Sequence, residues 1–276
     1  MYLKNEQNGT LIDEYNLNDR QLLALTKIAT FGVITTQMIA LYFAYYYPEI
    51  IDKYVASKNT IRQLISKNLI KKVSVGFGEY RSVFVLKNKG KLLTEDLKIY
   101  YIKSSQKIYQ SGFRHQIITN HISIFMELLL KEKIVRSIHE NQIRKMKIEN
   151  KWNSRSVPDF LFTTTAQKMI LVEYEKNLKN EPRKLVEKLI GYRPENLKSI
   201  KEGIDKIYYF VGSEKKKENL TKYFLKADET ANEYIDGYAT YILNRSKVVI
   251  KSIEETQNIF LKKFNCEELR SFEILM

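Results

Sequence analysis

The chain has 276 residues, of which 44% are hydrophobic and 12% aromatic, enough apolar material for one large or two ordinary globular domains. It carries 46 Lys and Arg against 32 Asp and Glu, a net charge of +14 that predicts a polyanionic partner, although a genome whose codons favour lysine is the alternative explanation. One cysteine, Cys266, excludes an internal disulfide and a cysteine-rich zinc site and fits a reducing cytoplasm. The sequence has no apolar run of about 18 residues that would span a membrane, and its polar residues 1–18 do not form a signal peptide.

After this polar leader, the pattern of apolar residues predicts three helices and then a β-hairpin. The predicted elements are helices over 19–30, 37–42 and 58–68 and strands over 69–75 and 80–86. Asn18 is the expected N-cap of the first helix and Gly32 its expected end. Three helices followed by a hairpin are the order of a winged helix-turn-helix, in which the third helix is the recognition helix.

Basic side chains are concentrated in this third helix and hairpin. Residues 60–91 contain eight basic side chains and one acidic residue, Glu79, which gives a local net charge of +7. This is the part of a winged helix that contacts DNA phosphates. A winged helix used for protein contacts is the alternative. The predicted DNA-binding residues are Lys58, Asn59, Arg62, Gln63, Lys67, Lys71, Lys72 and Arg81.

A second domain follows a boundary that we place near residue 105, so that the predicted domains are 19–104 and 105–276. Its helices and strands alternate in a way typical of an α/β domain with a mixed sheet. The predicted elements are helices over 114–131, 181–199, 213–225 and 253–264, and strands over 134–138, 157–162, 169–175, 206–212 and 247–250.

The central hairpin of this domain brings acidic residues together. Asp159 opens its first strand, and Glu173 and Glu175 close its second strand on one shared face. Antiparallel pairing then predicts three neighbouring carboxylates, which a divalent cation such as Mg²⁺ or Mn²⁺ would neutralise. We expect Asp159, Glu173 and the upstream Glu140 to be the metal ligands. An acidic hairpin end exposed to solvent is the alternative.

This hairpin resembles the motif of the PD-(D/E)-x-K nuclease superfamily. Pro158-Asp159 matches its first half, and Glu173-Tyr174-Glu175 stands where (D/E)-x-K belongs, with Glu175 in the place of the lysine. The resemblance implies a restriction-endonuclease-like domain that cleaves DNA with a divalent metal. Lys188 is the expected substitute for the missing lysine, since strand alternation turns Lys176 away.

The order of motifs along the chain resembles the plasmid replication–relaxation family, which includes MobC-type mobilisation relaxases. The matching pieces are Asp19-Arg20-Gln21, Asn68-Leu69-Ile70, His115, Pro158-Asp159, Glu173-Tyr174-Glu175 and Lys188-Leu189-Ile190-Gly191-Tyr192. The resemblance implies nicking or relaxation of DNA at an origin of a plasmid or other mobile element. Tyr192 lies four residues after Lys188, where it would either attack the phosphate or pack in the core.

The sequence therefore predicts a cytoplasmic, metal-dependent DNA endonuclease or relaxase whose catalytic residues are Asp159, Glu173, Glu175, Lys188 and Tyr192. Its expected partner is double-stranded DNA at an origin, with a homodimer and mobilisation accessory proteins as further candidates and no membrane. The alternative is a replication initiator or transcription regulator whose nuclease-like domain has lost catalysis and serves in dimerisation. A weaker alternative is membrane binding through Lys215-Lys216-Lys217.

Overall fold

The structure is a computed structural model that describes residues 15–77, 80–99, 110–149, 156–175, 192, 204–222, 224 and 248–271. The chain divides into two compact units. The first consists of Met1–Asn120 and Phe264–Phe272, and the second of His121–Lys263 and Glu273–Met276. Helices and two separate sheets make up the described part, which confirms the predicted mixed α and β class.

The first unit contains three helices followed by a two-stranded antiparallel sheet and a fourth helix. The elements are α1 (Asp19–Phe31), α2 (Thr36–Tyr46), α3 (Lys53–Ser66), β1 (Ile70–Phe77), β2 (Tyr80–Leu86) and α4 (Asn88–Asp96). Val73 pairs with Val83 at the centre of the hairpin. A short bridge between Ile34 and Phe84 ties the segment before α2 to β2. The three predicted helices and the hairpin are present in the predicted order.

Local capping explains where the helices begin. The Asn18 side chain accepts a hydrogen bond from the Gln21 amide at 2.9 Å, and the Gln21 side chain accepts one from the Asn18 amide at 3.2 Å, which confirms the predicted N-cap. Helix α3 begins five residues before the predicted position, since Asp52 is its cap and accepts from the Val55 amide at 2.8 Å. Ser57, which directly precedes the predicted helix, is buried inside α3 and donates to the Lys53 carbonyl at 2.8 Å.

Helix α4 packs so closely on the start of the hairpin that one of its residues must be glycine. A Cβ atom on Gly90 would lie 2.2 Å from the carbonyl oxygen of Leu69. That oxygen belongs to the backbone and already accepts a hydrogen bond from the Lys87 amide at 2.9 Å, so it cannot move aside freely. The sequence gives no sign of this contact, because it depends on how the helix meets the strand.

Gly90→Ala should therefore lower the free energy of unfolding by about 1–3 kcal/mol, since overpacking forces the backbone to shift. Urea unfolding followed by circular dichroism measures the change. Lys89→Ala, at the exposed neighbouring position, is the control and should leave the midpoint nearly unchanged. Equal midpoints for the two variants would contradict the close contact.

The second unit is built around a five-stranded mixed sheet. Its elements are α5 (Gln110–Leu129, which belongs to this unit from His121 onward), β3 (Ile134–His139), α6 (Glu140–Ile148), β4 (Phe160–Thr164), β5 (Met169–Tyr174), β6 (Ile204–Val211), β7 (Val248–Ser252) and α7 (Ile253–Lys263). The strand order is β3-β4-β5-β6-β7, antiparallel from β3 to β5 and parallel from β5 to β7. The predicted hairpin of β4 and β5 is confirmed. Helix α6 was not predicted.

The central strand β5 is buried along its whole length, so both faces of the sheet are covered there. One face packs against α6 and the helical residues 214–222 in a cluster that includes Ile143, Leu171, Tyr209 and Leu220. In the second unit, the ring centroids of Phe125 on α5 and Phe260 on α7 lie 5.3 Å apart. Among the described residues, no helix is long and apolar enough to cross a membrane.

A short 3₁₀ helix, Glu267–Ser271, follows α7 and belongs to the first unit. Near it, the Phe264 ring lies 5.4 Å from that of Tyr45 on α2. The Glu268 carboxylate lies 3.4 Å from the ammonium group of Lys53, the first residue of α3. The end of the described chain thus completes the packing around α2 and α3.

Candidate functional site

The first part of the candidate site lies where β4 begins and β5 ends. Phe160 pairs with Val172, and continuing this register places Asp159 opposite Glu173. The Asp159 carboxylate accepts a hydrogen bond from the Tyr174 amide at 2.7 Å, which fixes it beside the end of β5. Asp159 is half-buried, so it is held in place while part of it remains accessible.

Glu140, the first residue of α6, lies next to Asp159. Its amide donates to the Asp159 carbonyl at 3.1 Å, and one carboxylate oxygen of each residue lies within 4.8 Å of the other. Glu140 is also half-buried, and its Oε1 accepts from Arg144 Nε at 2.8 Å, one helical turn along. Two accessible carboxylates at this spacing offer the oxygen ligands that Mg²⁺ and Mn²⁺ prefer.

Glu173 has a different environment. Only 1% of it is exposed, and it accepts a short hydrogen bond from the hydroxyl group of Tyr192. Its neighbour on β6 is Tyr209, whose hydroxyl group is buried and has no hydrogen-bond partner within the described part of the chain. Glu173 is therefore a buried acid flanked by two phenols on the apolar face of the sheet.

This burial holds both phenols in the neutral form. The pKa of Tyr192 is raised well above its usual range by burial and then by the nearby Glu173, and the pKa of Tyr209 is raised for the same two reasons. An attacking tyrosine must lose its proton and reach the phosphate. Tyr192 is 2% exposed and donates its proton to Glu173, so its position favours the packing alternative over the nucleophilic one.

Tyr192→Phe should lower the free energy of unfolding by about 1–3 kcal/mol, because it takes a donor away from a buried carboxylate. Urea unfolding measures the loss. Tyr208→Phe is a suitable control, since Tyr208 is only half-buried on the neighbouring strand. A Tyr192→Phe protein as stable as the wild type would show that Glu173 does not depend on this hydrogen bond.

Glu175 follows β5 and lies on the same side as Glu173, as strand alternation predicts. Its amide donates to the Phe210 carbonyl at 2.9 Å, and its charge contributes to the raised pKa of Tyr209. Lys176 and Lys188, the two candidates to replace the motif lysine, lie outside the described residues. The predicted helix over 181–199 lies outside them too, apart from Tyr192.

The first unit presents most of the predicted DNA-binding residues to solvent. Exposed side chains on α3 and β1 are Lys58, Asn59, Arg62, Gln63, Lys71 and Lys72. Among the described residues, no acidic side chain forms an ion pair with Lys58, Arg62, Lys71 or Lys72. Of Arg81 only the backbone, in β2, is described.

Two of the predicted DNA-binding residues also interact with the segment at the start of α1. Gln63 accepts a hydrogen bond from the Gln21 side chain at 2.8 Å. Lys67 is half-buried and donates to the carbonyl groups of Tyr15 and Asn16. These side chains help to hold α1 against α3, a role that requires the tertiary arrangement and could not be read from the helix pattern.

The lysine run proposed for membrane binding begins a helical stretch, residues 214–222. Lys217 lies 2.9 Å from Glu255 and 3.3 Å from Glu214, so its charge is balanced within the second unit. Its hydrogen bond to Glu255 is the main reason why its pKa is raised. This pairing leaves a smaller basic surface for anionic lipids.

The sequence did not predict two residues of the site, Arg144 and Tyr209. Arg144 could have been found from its i,i+4 spacing to Glu140, had a helix been expected there. Tyr209 could not, because its position beside Glu173 depends on the parallel register of β5 and β6.

Comparison of the chain with protein-family models, with curated proteins and with solved structures finds no match. Function therefore has to be inferred from the residues and their geometry.

Proposed function

We propose that this protein binds double-stranded DNA through its first unit and nicks one strand in a divalent-metal-dependent reaction in its second unit. Its substrate would be an origin of a plasmid or other mobile element, as the resemblance to the replication–relaxation family implies. The observation that carries the proposal is the meeting of the Glu140 and Asp159 carboxylates at the end of the central hairpin.

The first unit supports the DNA-binding part of the proposal. Three helices followed by a hairpin are the order of a winged helix-turn-helix, with α3 as the recognition helix and β1 and β2 as the wing. Its exposed basic side chains on α3 and β1 have no acidic partner among the described residues. Free positive charges at these positions are suited to DNA phosphates.

The sheet of the second unit supports the nuclease part. A helix, three antiparallel strands and then a strand parallel to the third resemble the core of restriction-endonuclease-like domains. Asp159 stands at the start of the second of these strands and Glu173 near the end of the third. These are the positions that the resemblance assigns to the two acidic residues of the motif.

The residues of the site have different roles in the proposed reaction. Asp159 and Glu140 would hold Mg²⁺ or Mn²⁺, and Arg144 fixes the orientation of the Glu140 carboxylate. The ion would supply a Lewis acid and a bound water of lowered pKa. Glu173 and Tyr192, a buried hydrogen-bonded pair, would have a structural role beside the site. Because Tyr192 is buried and protonated, we propose that water, and not Tyr192, attacks the phosphate.

One observation favours a second candidate function. Glu173 is buried and bound to Tyr192, and Glu175 stands in the place of the motif lysine. A site with these departures could have lost catalysis. The protein would then be a replication initiator or transcription regulator whose second unit serves in dimerisation.

A nicking assay on supercoiled plasmid carrying origin DNA separates the two candidates. We expect conversion to open circles in Mg²⁺ or Mn²⁺, its loss in a chelator, and no covalent protein–DNA band on a denaturing gel. Tight duplex binding without nicking, together with no metal binding by calorimetry, would favour the non-catalytic candidate. Failure to bind duplex DNA at all would refute both.

A separate prediction concerns the wing. Lys71→Ala with Lys72→Ala should flatten the slope of log affinity against log salt by about 2, because each phosphate contact contributes about 0.9. The control is Lys262→Ala with Lys263→Ala, which removes the same charge from exposed positions on α7. Equal slopes for the two double variants would show that the wing does not contact phosphates.

A further inference from the structure

Exposed apolar side chains are concentrated at the start of α3. Ile51 is 94% exposed, Tyr54 41% and Val55 46%, and Ile65 at the other end of the helix is 38% exposed. These four are half of the eight large hydrophobic side chains that are exposed in the described part of the chain. Single exposed apolar residues are common on proteins and need no explanation. Three exposed apolar side chains within five residues, at the N-terminal end of a basic helix, indicate a contact surface.

The apolar and the basic residues share one face of α3. Val55, Lys58, Asn59 and Arg62 follow the spacing i, i+3, i+4 and i+7, and all four are exposed. The opposite face carries the buried residues, of which Leu64 is one. Val55 therefore lies in the middle of the exposed face, with Lys58 and Asn59 one turn further along and Arg62 two turns further along.

The two charged residues at the start of α3, Asp52 and Lys53, form hydrogen bonds within the first unit. The Asp52 carboxylate caps the helix through the Val55 amide. Lys53 is buried, and its ammonium group donates to the Ile50 carbonyl at 3.2 Å and to Glu268 at 3.4 Å. Besides the exposed Asp52, the side chains available to a partner at this end of the helix are apolar.

We infer that α3 reads thymine methyl groups in the major groove of DNA through Val55 and Tyr54. The inference rests on the proposed DNA binding and names the base feature that this site selects. Thymine is the one base that presents a methyl group in the major groove, and apolar side chains recognise it there. Recognition helices contact base edges with the residues near their N-terminus, where Val55 and Tyr54 lie.

The neighbouring residues fit the same partner. Lys58 and Arg62 place positive charge on the same face, which suits the phosphates beside the groove. Asn59 lies one turn from Val55, and an asparagine amide can pair with the major-groove edge of adenine. The face therefore selects A·T pairs. Charge argues against a second copy of the chain as the partner, since two copies of a protein of net charge +14 repel each other.

The test uses a duplex selected by the wild-type protein from a random-sequence pool, and a second duplex in which deoxyuridine replaces thymidine. This exchange removes only the methyl groups and leaves every hydrogen-bonding group in place. We expect the wild type to bind the uracil duplex about fourfold more weakly for each methyl group contacted. Val55→Ala and Tyr54→Ala should bind the thymine duplex more weakly and lose most of the difference between the two duplexes.

Ile148→Ala is the matched control, because Ile148 is an exposed apolar residue in the second unit, and it should keep the full difference. Equal wild-type affinity for the two duplexes would overturn the inference and leave DNA binding intact. No selected duplex at all would refute the proposed function itself. If Val55→Ala dissociates a dimer in sedimentation without changing DNA affinity, the surface is an interface between copies and the inference fails.

Discussion

Asp159→Asn should lower the rate of metal-dependent nicking by about a hundredfold or more, since even the residues that only support metal ligands contribute about 10–100-fold. Asparagine keeps a side-chain oxygen that can accept from the Tyr174 amide, so the 2.7 Å hydrogen bond at the end of β5 survives. It loses the negative charge that a divalent cation needs. The rate of open-circle formation and the metal affinity by calorimetry should fall together.

The controls for this experiment follow from the proposal that the first unit binds DNA and the second unit holds the metal. Duplex affinity of Asp159→Asn should match that of the wild type, because the side chains proposed to bind DNA belong to the first unit. Glu254→Gln removes a carboxylate from an exposed position in the first turn of α7 and should nick normally. Glu140→Gln should resemble Asp159→Asn, and Arg144→Gln should have a smaller effect. If Asp159→Asn nicks DNA at the wild-type rate, the proposed metal site is wrong.

Acid should destabilise the second unit through His121. This residue is fully buried on α5, and burial lowers its pKa from 6.5 to about 3. The unfolded chain therefore takes up a proton at pH values where the folded chain does not. The stabilisation is fully present above pH 6.5 and is lost as the pH falls toward 3, at about 1.4 kcal/mol for each pH unit.

His121→Asn should remove this part of the pH dependence. We expect the free energy of unfolding in urea to fall less steeply between pH 6.5 and 4 in the variant than in the wild type, even if the variant is less stable at pH 7. His115→Asn, at a half-buried position on the same helix, controls for the loss of a histidine and should keep the steeper dependence. Parallel curves for the wild type and His121→Asn would mean that His121 takes up its proton without unfolding the chain.

Features set by neighbouring residues could be predicted from the sequence. The hairpin of β4 and β5 follows from two short apolar runs around a polar turn, and its pairing follows from the position of that turn. The Asn18 cap likewise depends on residues three apart. Because the proximity of Asp159 to the end of β5 is a consequence of this local pairing, that part of the candidate site was accessible to sequence reasoning.

Features set by distant segments could not be predicted in this way. The contact of Glu140 with Asp159 requires α6 to begin where β3 ends, and that helix was not predicted. The pairing of Glu173 with Tyr209 requires a parallel register between strands separated by about thirty residues. The helix pattern places Gln63 and Lys67 among the outward-facing residues predicted to bind DNA. The packing of α1 against α3 gives them other partners.

The return of Phe264–Phe272 to the first unit has a consequence for synthesis on the ribosome. The bridge from Glu268 to Lys53 joins residues separated by 215 positions, so the partner of the first residue of α3 is synthesised only after the chain has passed through the second unit as far as Lys263. Domains generally fold as units while the chain emerges, beginning at the N-terminus. Here the surface around Tyr45 and Lys53 stays uncovered until the segment that follows α7 has left the ribosome. A chain released before that point would contain α2 and α3 and lack the segment that contacts them.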